Sequence, residues 1–255
     1  GVAISYRDQG KIFGAIGIYS PYKELRSISD KIIKCLDKGN LSEIMYLQNR
    51  FDLDVLYKDY PQYRKLISSD GREKRIVTSA FNKLDVFREI KTSEEEFGIW
   101  GISGNRRVRK WILSRYVKDN GNLNRYKVIV PKANGAGAIG EVLSTPLIGA
   151  PLIGAPLIGY TQSFIGIGAF DDLSTAEAAL KYVKSKFTRT MLGVLKVTQD
   201  NPPEKWKYVP IQDFSDKSDI DWNQSVEGID RQLYKKYGLD DKEIEFIETH
   251  VKEME

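Results

Sequence analysis

Two acidic residues and a lysine, Asp70, Glu89 and Lys91, follow the order of the metal-binding set of a metal-dependent nuclease. In such a set two carboxylates hold a hard divalent cation, and the lysine helps to orient the attacking water. The chain carries 35 acidic and 39 basic residues, so chance matches to this loose pattern are expected. Asp70 also lies in the turn-like stretch Ser-Ser-Asp-Gly-Arg. A self-contained nuclease is therefore an alternative hypothesis and not the leading one.

A glycine-rich segment suggests a second chemistry, the binding of a nucleotide phosphate. Gly135, Gly137 and Gly140 fit the pattern G-x-G-x-x-G and follow a strand-like stretch. A phosphate-binding loop needs a helix directly after the glycines, because the free N–H groups at the helix start hold the phosphate. Pro146 follows too soon after Gly140 to leave room for that helix. The small side chains instead suit a loop whose backbone approaches another surface closely.

A third motif, Asn201-Pro202-Pro203, is similar to the catalytic loop of DNA amino-methyltransferases. In that loop an aromatic residue follows the prolines and stacks on the flipped base, whereas this chain has Glu204. A carboxylate offers no stacking face, and two consecutive prolines end a helix. We therefore predict a polar turn after a helix at this position, and no catalytic residue.

Basic residues are concentrated in one region of the chain. Residues 103–132 contain nine basic residues and the single acid Asp119. The nine are Arg106, Arg107, Arg109, Lys110, Arg115, Lys118, Arg125, Lys127 and Lys132. Residues 199–255 carry fifteen acids and eight basic residues. This asymmetry predicts a surface that binds a polyanion, attached to a solvated or protein-facing tail, with a merely solvated basic face as the alternative.

Composition excludes several classes of protein. With 41% hydrophobic and 29% charged residues the 255-residue chain is globular, and no apolar run approaches the ~20 residues of a membrane span. Cys35 and His250 are the only cysteine and histidine, which excludes a disulfide framework, zinc clusters and histidine-based nucleases. Because the chain starts at Gly1, without methionine, we expect it to be a segment of a longer protein.

The hydrophobic pattern predicts the elements that position these residues. Strands are predicted at residues 97–102 and from 126 into the glycine loop, and a hairpin at 2–18. Helices are predicted at residues 21–38, 41–51, 106–117, 174–197 and 240–254. Capping boxes are expected for the last two, at Ser174 with Glu177 and at Asp240 with Glu243. Strands in the middle and helices at both ends indicate an α+β fold, with a central mixed or antiparallel sheet region flanked by helices.

Four longer stretches of the sequence carry a family resemblance. They are PKANGAGAIGEVLSTPLIG, GYTQSFIGIGAF, KYVKSKFTRTMLGVLKVTQDNPPEKWKYVPIQDF and IDRQLYKKYGLDDKEIEFIE. They resemble the C-terminal part of bacterial restriction–modification methylases, which are adenine-specific DNA methyltransferases of the type II restriction enzyme methylase family. The likeness is specific from Lys127 onward and weaker over residues 22–96. Family members carry two tandem Pro-Leu-Ile-Gly units, whereas this chain has three, starting at Pro146, Pro151 and Pro156.

This resemblance implies a domain organisation. Residues 1–20 would end a methyltransferase domain as a hairpin, residues 21–95 would form a helical connection, residues 96–198 a target-recognition domain with a long helix, and residues 199–255 an acidic helical tail. The catalytic and S-adenosylmethionine-binding motifs would precede Gly1, so neither a cofactor nor a metal is expected in this chain. The extra Pro-Leu-Ile-Gly unit would lengthen a loop facing DNA or be neutral.

The resemblance also implies partners. They are double-stranded DNA, the upstream methyltransferase domain and a nuclease domain or subunit, in the bacterial cytoplasm. The parent protein would methylate adenine at a specific site, with or without restriction endonuclease activity. A protein-interaction domain that docks a partner through the acidic tail is a further alternative.

Such a module needs two kinds of DNA contact. Lysine and arginine bind phosphate without reading sequence, whereas arginine, asparagine and glutamine can read base edges. The predicted DNA-binding residues are Arg106, Arg107, Arg109, Lys110, Lys127, Lys132, Asn134, Gly135, Gly137 and Gln162. For Asn134 and Gln162 a plain turn or strand-capping role is the alternative. The prediction requires that the basic segment and the glycine loop share one surface.

Further residues are assigned supporting roles. Arg115 and Lys118 are weaker phosphate candidates, and Trp100 and Trp111 are expected in the core. The helix at residues 174–197 is expected to be scaffold. Its exposed side would be basic through Lys181, Lys184, Lys186 and Arg189.

Overall fold

The computed structural model describes residues 7, 9–11, 20, 22–67, 74–134, 150–196 and 198–254. Their α-helices are α1 (Lys23–Ile33), α2 (Leu53–Asp59), α3 (Tyr63–Leu66), α4 (Thr78–Lys83), α5 (Leu173–Lys184), α6 (Lys186–Gly193), α7 (Val226–Lys236) and α8 (Asp241–His250). Their strands are β1 (Met45–Tyr46), β2 (Arg50–Phe51), β3 (Glu96–Ser103), β4 (Arg106–Leu113), β5 (Val117–Lys118), β6 (Tyr126–Pro131), β7 (Leu152–Gly154), β8 (Ile158–Tyr160) and β9 (Phe164–Phe170). The α+β prediction is confirmed. Most of the hairpin predicted at residues 2–18 lies outside the described residues.

A four-stranded antiparallel sheet, in the order β1-β9-β6-β7, is buried on both faces. Successive side chains of a strand point to opposite faces. Val128 and Val130 therefore pack against the helices in the largest hydrophobic cluster, which includes residues of α1 and α5 to α8. Ile129 points the other way and packs with Tyr160 and Phe164. The sheet is thus held between a helical layer and a second sheet.

The second sheet is built on a hairpin of β3 and β4, with β8 parallel to β3 on its other side. Gly104 and Asn105 form the two-residue turn, with φ of 54° and 60°. Two positive φ angles match the turn that suits the twist of a hairpin. Phe97, Ile99 and Ile112 line the face that packs in a second hydrophobic cluster with α2 to α4. A small third sheet pairs β2 with β5.

The prediction of a helix at residues 106–117 is therefore wrong. Residues Arg106–Leu113 form strand β4, which pairs along its whole length with β3 from Ser103↔Arg106 to Glu96↔Leu113. Ser114–Tyr116 form a 3-10 turn, and Val117 begins β5. Trp111 and Ile112 fit a helical spacing, but a complete partner strand satisfies the backbone hydrogen bonds just as fully. Pairing with β3 decides the structure, and it changes which basic side chains share a face.

The helix predicted at residues 174–197 is broken into two. Ser185 ends α5 and caps α6, because its hydroxyl accepts a hydrogen bond from the Thr188 N–H at 3.1 Å. Ser174 is not the cap of α5. Asp172 holds that position, and its carboxylate accepts from the Thr175 N–H at 2.7 Å. The capping residue thus lies two positions earlier than predicted.

Basic side chains were predicted to be exposed along one side of this helical pair. Most of them are instead buried or bonded to other parts of the protein. Arg189 is buried, with 1% of its surface exposed. Lys181 donates to the Trp222 carbonyl at 2.7 Å, and Lys186 pairs with Glu248 at 2.5 Å. These side chains tie the helices to the C-terminal region.

Two further segments complete the comparison with the predicted elements. Residues predicted as a helix at 41–51 form a 3-10 turn, Leu41–Ile44, followed by β1 and β2. The capping box of α8 is confirmed, with Asp240 and Glu243 in the predicted roles. The apolar side of α8 is buried in the core, and Phe246 contacts Tyr22 with ring centroids 5.2 Å apart. Within the described residues, every helix is too short or too polar to cross a bilayer.

The tandem repeat occupies both large sheets. Leu152-Ile153-Gly154 of the second unit forms β7 and pairs with β6 in the four-stranded sheet. Ile158-Gly159 of the third unit belongs to β8 and pairs with β3 in the other sheet. Leu157, between these strands, has a positive φ of 61°. Identical sequence is therefore used in two different structural positions.

Candidate nucleic-acid interface

A polar cleft of about 450 Å³ opens where the two large sheets end side by side. The hairpin contributes Ile102, Asn105 and Arg107 to one wall. The end of β6 and the start of β9 contribute the other wall, including Pro131 and Phe164. Beneath the cleft, Trp100 and Ile102 pack against the small cluster formed by Ile129, Tyr160 and Phe164. The floor is therefore an apolar contact between the sheets.

The turn at residues 161–163 fixes the two sheets together at this cleft. It joins β8 of one sheet directly to β9 of the other. The Thr161 N–H donates to the Trp100 carbonyl at 2.8 Å, and the Ser163 carbonyl accepts from the Lys132 N–H at 2.9 Å. Gln162 and Ser163 therefore hold fixed positions in the cleft lining.

Residues around the Asn-Pro-Pro motif form part of the cleft wall. Ala133 and Asp200 form an antiparallel bridge. On either side of it, the Asn201 N–H donates to the Lys132 carbonyl at 2.7 Å and the Asn134 N–H donates to the Gln199 carbonyl at 3.0 Å. Two segments far apart in sequence thus pair like short strands.

A buried lysine holds this wall in place. The Lys196 ammonium donates to the Asn134 carbonyl at 2.6 Å, and the residue is fully buried. Burial lowers the pKa of Lys196, and the nearby charge of Asp200 opposes that shift. Lys196 thus positions Asn134, a role that no local sequence pattern indicates.

The position of Asn201 argues against a catalytic Asn-Pro-Pro loop. The residue is 0% exposed, so its carboxamide cannot reach a flipped base. The following residues, Pro203–Trp206, form a 3-10 turn that places Trp206 in the core. The motif is structural, as its departure from the methyltransferase pattern predicts.

Four of the predicted DNA-binding residues meet in the cleft. They are Arg107, Lys132, Asn134 and Gln162. Gly135 and Gly137 lie outside the described residues, so their predicted role is neither supported nor opposed. Ala150, the first described residue after Asn134, accepts a hydrogen bond at its carbonyl from the Arg107 Nη1 at 2.6 Å. This contact links Ala150 to a residue that lines the cleft.

Arg107 and Gln162 differ in how strongly they are already engaged. The Arg107 guanidinium lies 5.7 Å from the centre of the Phe164 ring, and partial burial lowers its pKa without removing the charge. The Gln162 amide donates to the Thr78 hydroxyl at 3.1 Å. Its oxygen is buried and, among the described residues, has no hydrogen-bond partner. Arg107 keeps donors for a ligand, whereas Gln162 is oriented by Thr78.

Strand alternation divides the basic segment between two faces. Arg107 and Arg109 share the face that carries Trp111, whereas Arg106 and Lys110 lie on the other. Lys110 is paired with Glu89 at 3.0 Å, and only 12% of its side chain is exposed. The prediction that these four residues form a single surface is wrong, because it assumed a helix.

Ion pairs separate the remaining basic residues into two groups. Arg115 pairs with Asp59, Lys118 with Asp52, and Arg125 with Asp171. Four of the nine side chains have neither a carboxylate partner among the described residues nor a buried ammonium: Arg106, Arg107, Arg109 and Lys132. These four are the cations best placed to bind an external anion.

Lys127 is not at the surface, so its predicted contact with DNA is wrong. The residue is fully buried, and its ammonium donates to the carbonyls of Leu123 and Ile158, each at 3.0 Å, and of Ala155 at 3.5 Å. Burial lowers the pKa of Lys127 to about 7. Its role is to join β6 to the loop between β7 and β8.

The described residues give no support to a nuclease site. Glu89 is held by Lys110, and Lys91 pairs with Glu94 at 2.7 Å. Asp70 lies outside the described residues. Across the described ranges, no group of three or more potential metal ligands comes together.

Comparisons of the chain with protein-family models, with curated proteins and with solved structures give no match. The resemblance to restriction–modification methylases therefore stays a prediction from the sequence. The geometry of the cleft is the remaining basis for assigning a function.

Proposed function

We propose that the chain is a sequence-specific DNA-recognition module of a restriction–modification adenine-N6 methyltransferase, without catalysis of its own. One observation carries the proposal: Arg107, Lys132, Asn134 and Gln162, from three separate stretches of sequence, line one cleft. S-adenosylmethionine would be bound by the upstream methyltransferase domain, which would be a partner of this chain.

The chemistry of the cleft suits a duplex. Arg107 and Lys132 supply positive charge in the cleft, and Arg109 extends it along the same face of β4 as Arg107. Such cations bind phosphates and release condensed counterions, so affinity falls steeply with salt. The carboxamide of Asn134 matches the donor and acceptor pattern of an adenine edge. Affinity and sequence preference thus come from different residues.

The double substitution R107A/R109A, which removes two cations from the same face of β4, is expected to weaken binding to every duplex. Each arginine that neutralises a phosphate contributes about 0.9 to the slope of log affinity against log salt. Losing both should make that slope shallower by about 2. Fluorescence anisotropy with labelled duplexes, between low and physiological salt, measures both effects.

The matched control for this double substitution is R231A. Arg231 is exposed on α7 and pairs with Glu227, and it does not line the cleft. Its removal should leave the salt slope unchanged. Equal affinities of the R107A/R109A and wild-type chains at low salt would contradict the assignment.

Replacing Asn134 or Gln162 with alanine is expected to relax preference among sequences while nonspecific binding stays nearly intact. For Asn134, a good bidentate contact discriminates by about 1–3 kcal/mol, so preference at one position should fall roughly five- to a hundredfold. Gln162 can offer only its Nε2 donor, because its oxygen is buried, so its replacement should relax the preference less. Competition between a preferred duplex and single-base variants measures this ratio. A uniform loss across all sequences would reassign the residue to scaffold or phosphate contact.

A further inference from the structure

Asp200 is an acceptor-only group in a cleft rich in hydrogen-bond donors. It is exposed and lines the cleft with Arg107 and Lys132. No local sequence pattern marks Asp200, because its place in the cleft depends on the bridge with Ala133. In a site that binds a polyanion, a carboxylate reduces affinity unless it makes a specific contact.

Only one oxygen of the Asp200 carboxylate is hydrogen-bonded to a described residue. One oxygen, Oδ1, accepts from the Asn201 N–H at 3.1 Å. The other, Oδ2, has no hydrogen bond to any described residue. The charge of Asp200 acts on the buried Lys196, but that ammonium donates to the Asn134 carbonyl instead. Ala133, the bridge partner of Asp200, has only a methyl group to cover it. One oxygen of this cleft-lining residue is therefore available as an acceptor.

A carboxylate oxygen without a hydrogen-bond partner cannot bind a phosphate, because both groups are negatively charged. In the major groove it can accept a hydrogen bond only from an exocyclic amine, N4 of cytosine or N6 of adenine. Adenine also presents the acceptor N7 beside its amine, and that lone pair repels the second carboxylate oxygen. Cytosine presents its amine without a neighbouring acceptor. Cytosine is therefore the base that this group fits best.

We propose that Asp200 is a specificity-determining residue that accepts a hydrogen bond from the N4 amine of a cytosine in the major groove. This inference rests on the proposed function of the cleft. It requires one position of the bound sequence to be cytosine. Guanine and thymine are rejected there because they present an acceptor, O6 or O4, to the carboxylate.

The test is selection from a randomised duplex library with the wild-type chain, D200N and the control D216N. Asp216 is exposed and lines a different cavity, so D216N makes the same change in charge away from the cleft. The wild-type and D216N chains are expected to select cytosine at one position. For D200N that preference should fall roughly five- to a hundredfold, the discrimination of one base contact.

A second readout separates base contact from structural damage. D200N keeps an oxygen that can accept from the Asn201 N–H, so its thermal unfolding should match that of the wild type. It also removes negative charge from the cleft, so affinity for mismatched duplexes should stay equal or rise. A loss of affinity for all duplexes would overturn the assignment.

The remaining outcomes distinguish a failure of the inference about Asp200 from a failure of the proposed function. If the wild-type chain selects a sequence and D200N selects the same one with the same stringency, the inference about Asp200 fails and the proposed function stands. If the wild-type chain binds all duplexes equally or binds none, the proposed function fails, and the inference fails with it.

Discussion

Replacing Asp230 with alanine is expected to lower the free energy of unfolding by roughly 2–4 kcal/mol, because each buried N–H group that loses its acceptor costs about 1–3 kcal/mol. Asp230 is 2% exposed and accepts the N–H groups of Lys186 and Phe187, at 3.0 and 2.9 Å, at the start of α6. Its charge also stabilises the buried guanidinium of Arg189. The substitution leaves two backbone N–H groups without their acceptor and removes the negative charge that favours the buried Arg189 guanidinium.

Chemical denaturation near pH 7.5, followed by circular dichroism, measures this loss. Burial raises the Asp230 pKa to about 6, so the carboxylate is mainly charged under these conditions. The control is D219A, because Asp219 is exposed and pairs only with Lys236 at the surface. Exposed pairs contribute little to stability. Similar unfolding curves for D230A and D219A would show that the buried network does not stabilise the fold.

The free energy of unfolding is also expected to rise by about 2 kcal/mol between pH 7 and pH 9, because of Lys127. Burial lowers the pKa of this lysine to about 7 in the folded state, whereas an unfolded lysine titrates near 10.4. Between these values the unfolded chain binds a proton that the folded chain has released. Raising the pH therefore favours folding in this window.

Comparing the wild type with K127M isolates this effect. Methionine keeps much of the side-chain volume but cannot titrate, so the stability of K127M should rise less over this range than that of the wild type. Any remaining rise comes from other groups, such as the buried Lys196. The substitution also leaves the carbonyls of Leu123 and Ile158 without their donor, which makes K127M less stable than the wild type at every pH. Because the wild type gains more stability as the pH rises, this difference should grow toward pH 9. Parallel curves for the two proteins would contradict the assignment.

The upper limit of pH 9 avoids an opposite effect from tyrosines. Burial raises the pKa values of Tyr116 and Tyr237 to about 12. Unfolded tyrosines ionise near 10, so stability is lost as the pH rises beyond that value. Below pH 9 the lysine dominates the difference between K127M and wild type.

Local signals explain which parts of the fold could be predicted. The capping box of Asp240 with Glu243 is a short-range pattern, and the helix begins where it indicates. Strand β4 was predicted as a helix because its apolar residues fit both periods. The preceding Gly104-Asn105 dipeptide is a hairpin signal that could have corrected this prediction. The break at Ser185 has only a weak local signal, a capping residue inside an apolar pattern.

The residues of the candidate site also divide into those that a local sequence signal indicates and those that only a long-range contact places there. Arg107 could be proposed because it lies in the basic segment, and Lys132 and Asn134 because they lie beside the glycine loop. Asp200 could not, because a long-range backbone pairing brings it there. The burial of Lys127 could not be predicted from the sequence either. Two of the carbonyls that its ammonium contacts, those of Ala155 and Ile158, belong to a distant part of the chain.

The use of identical repeat units as β7 and β8 bears on how this protein can change in length. Any two consecutive units offer the same residues to the two sheets, so copy-number variation would preserve both strands. A gained or lost unit would then alter only the span between Asn134 and β7, by five residues. The described residues that flank this span are Asn134, which lines the cleft, and Ala150, whose carbonyl accepts a hydrogen bond from Arg107. Replication slippage could thus change the length of chain between these two points while both strands keep their residues.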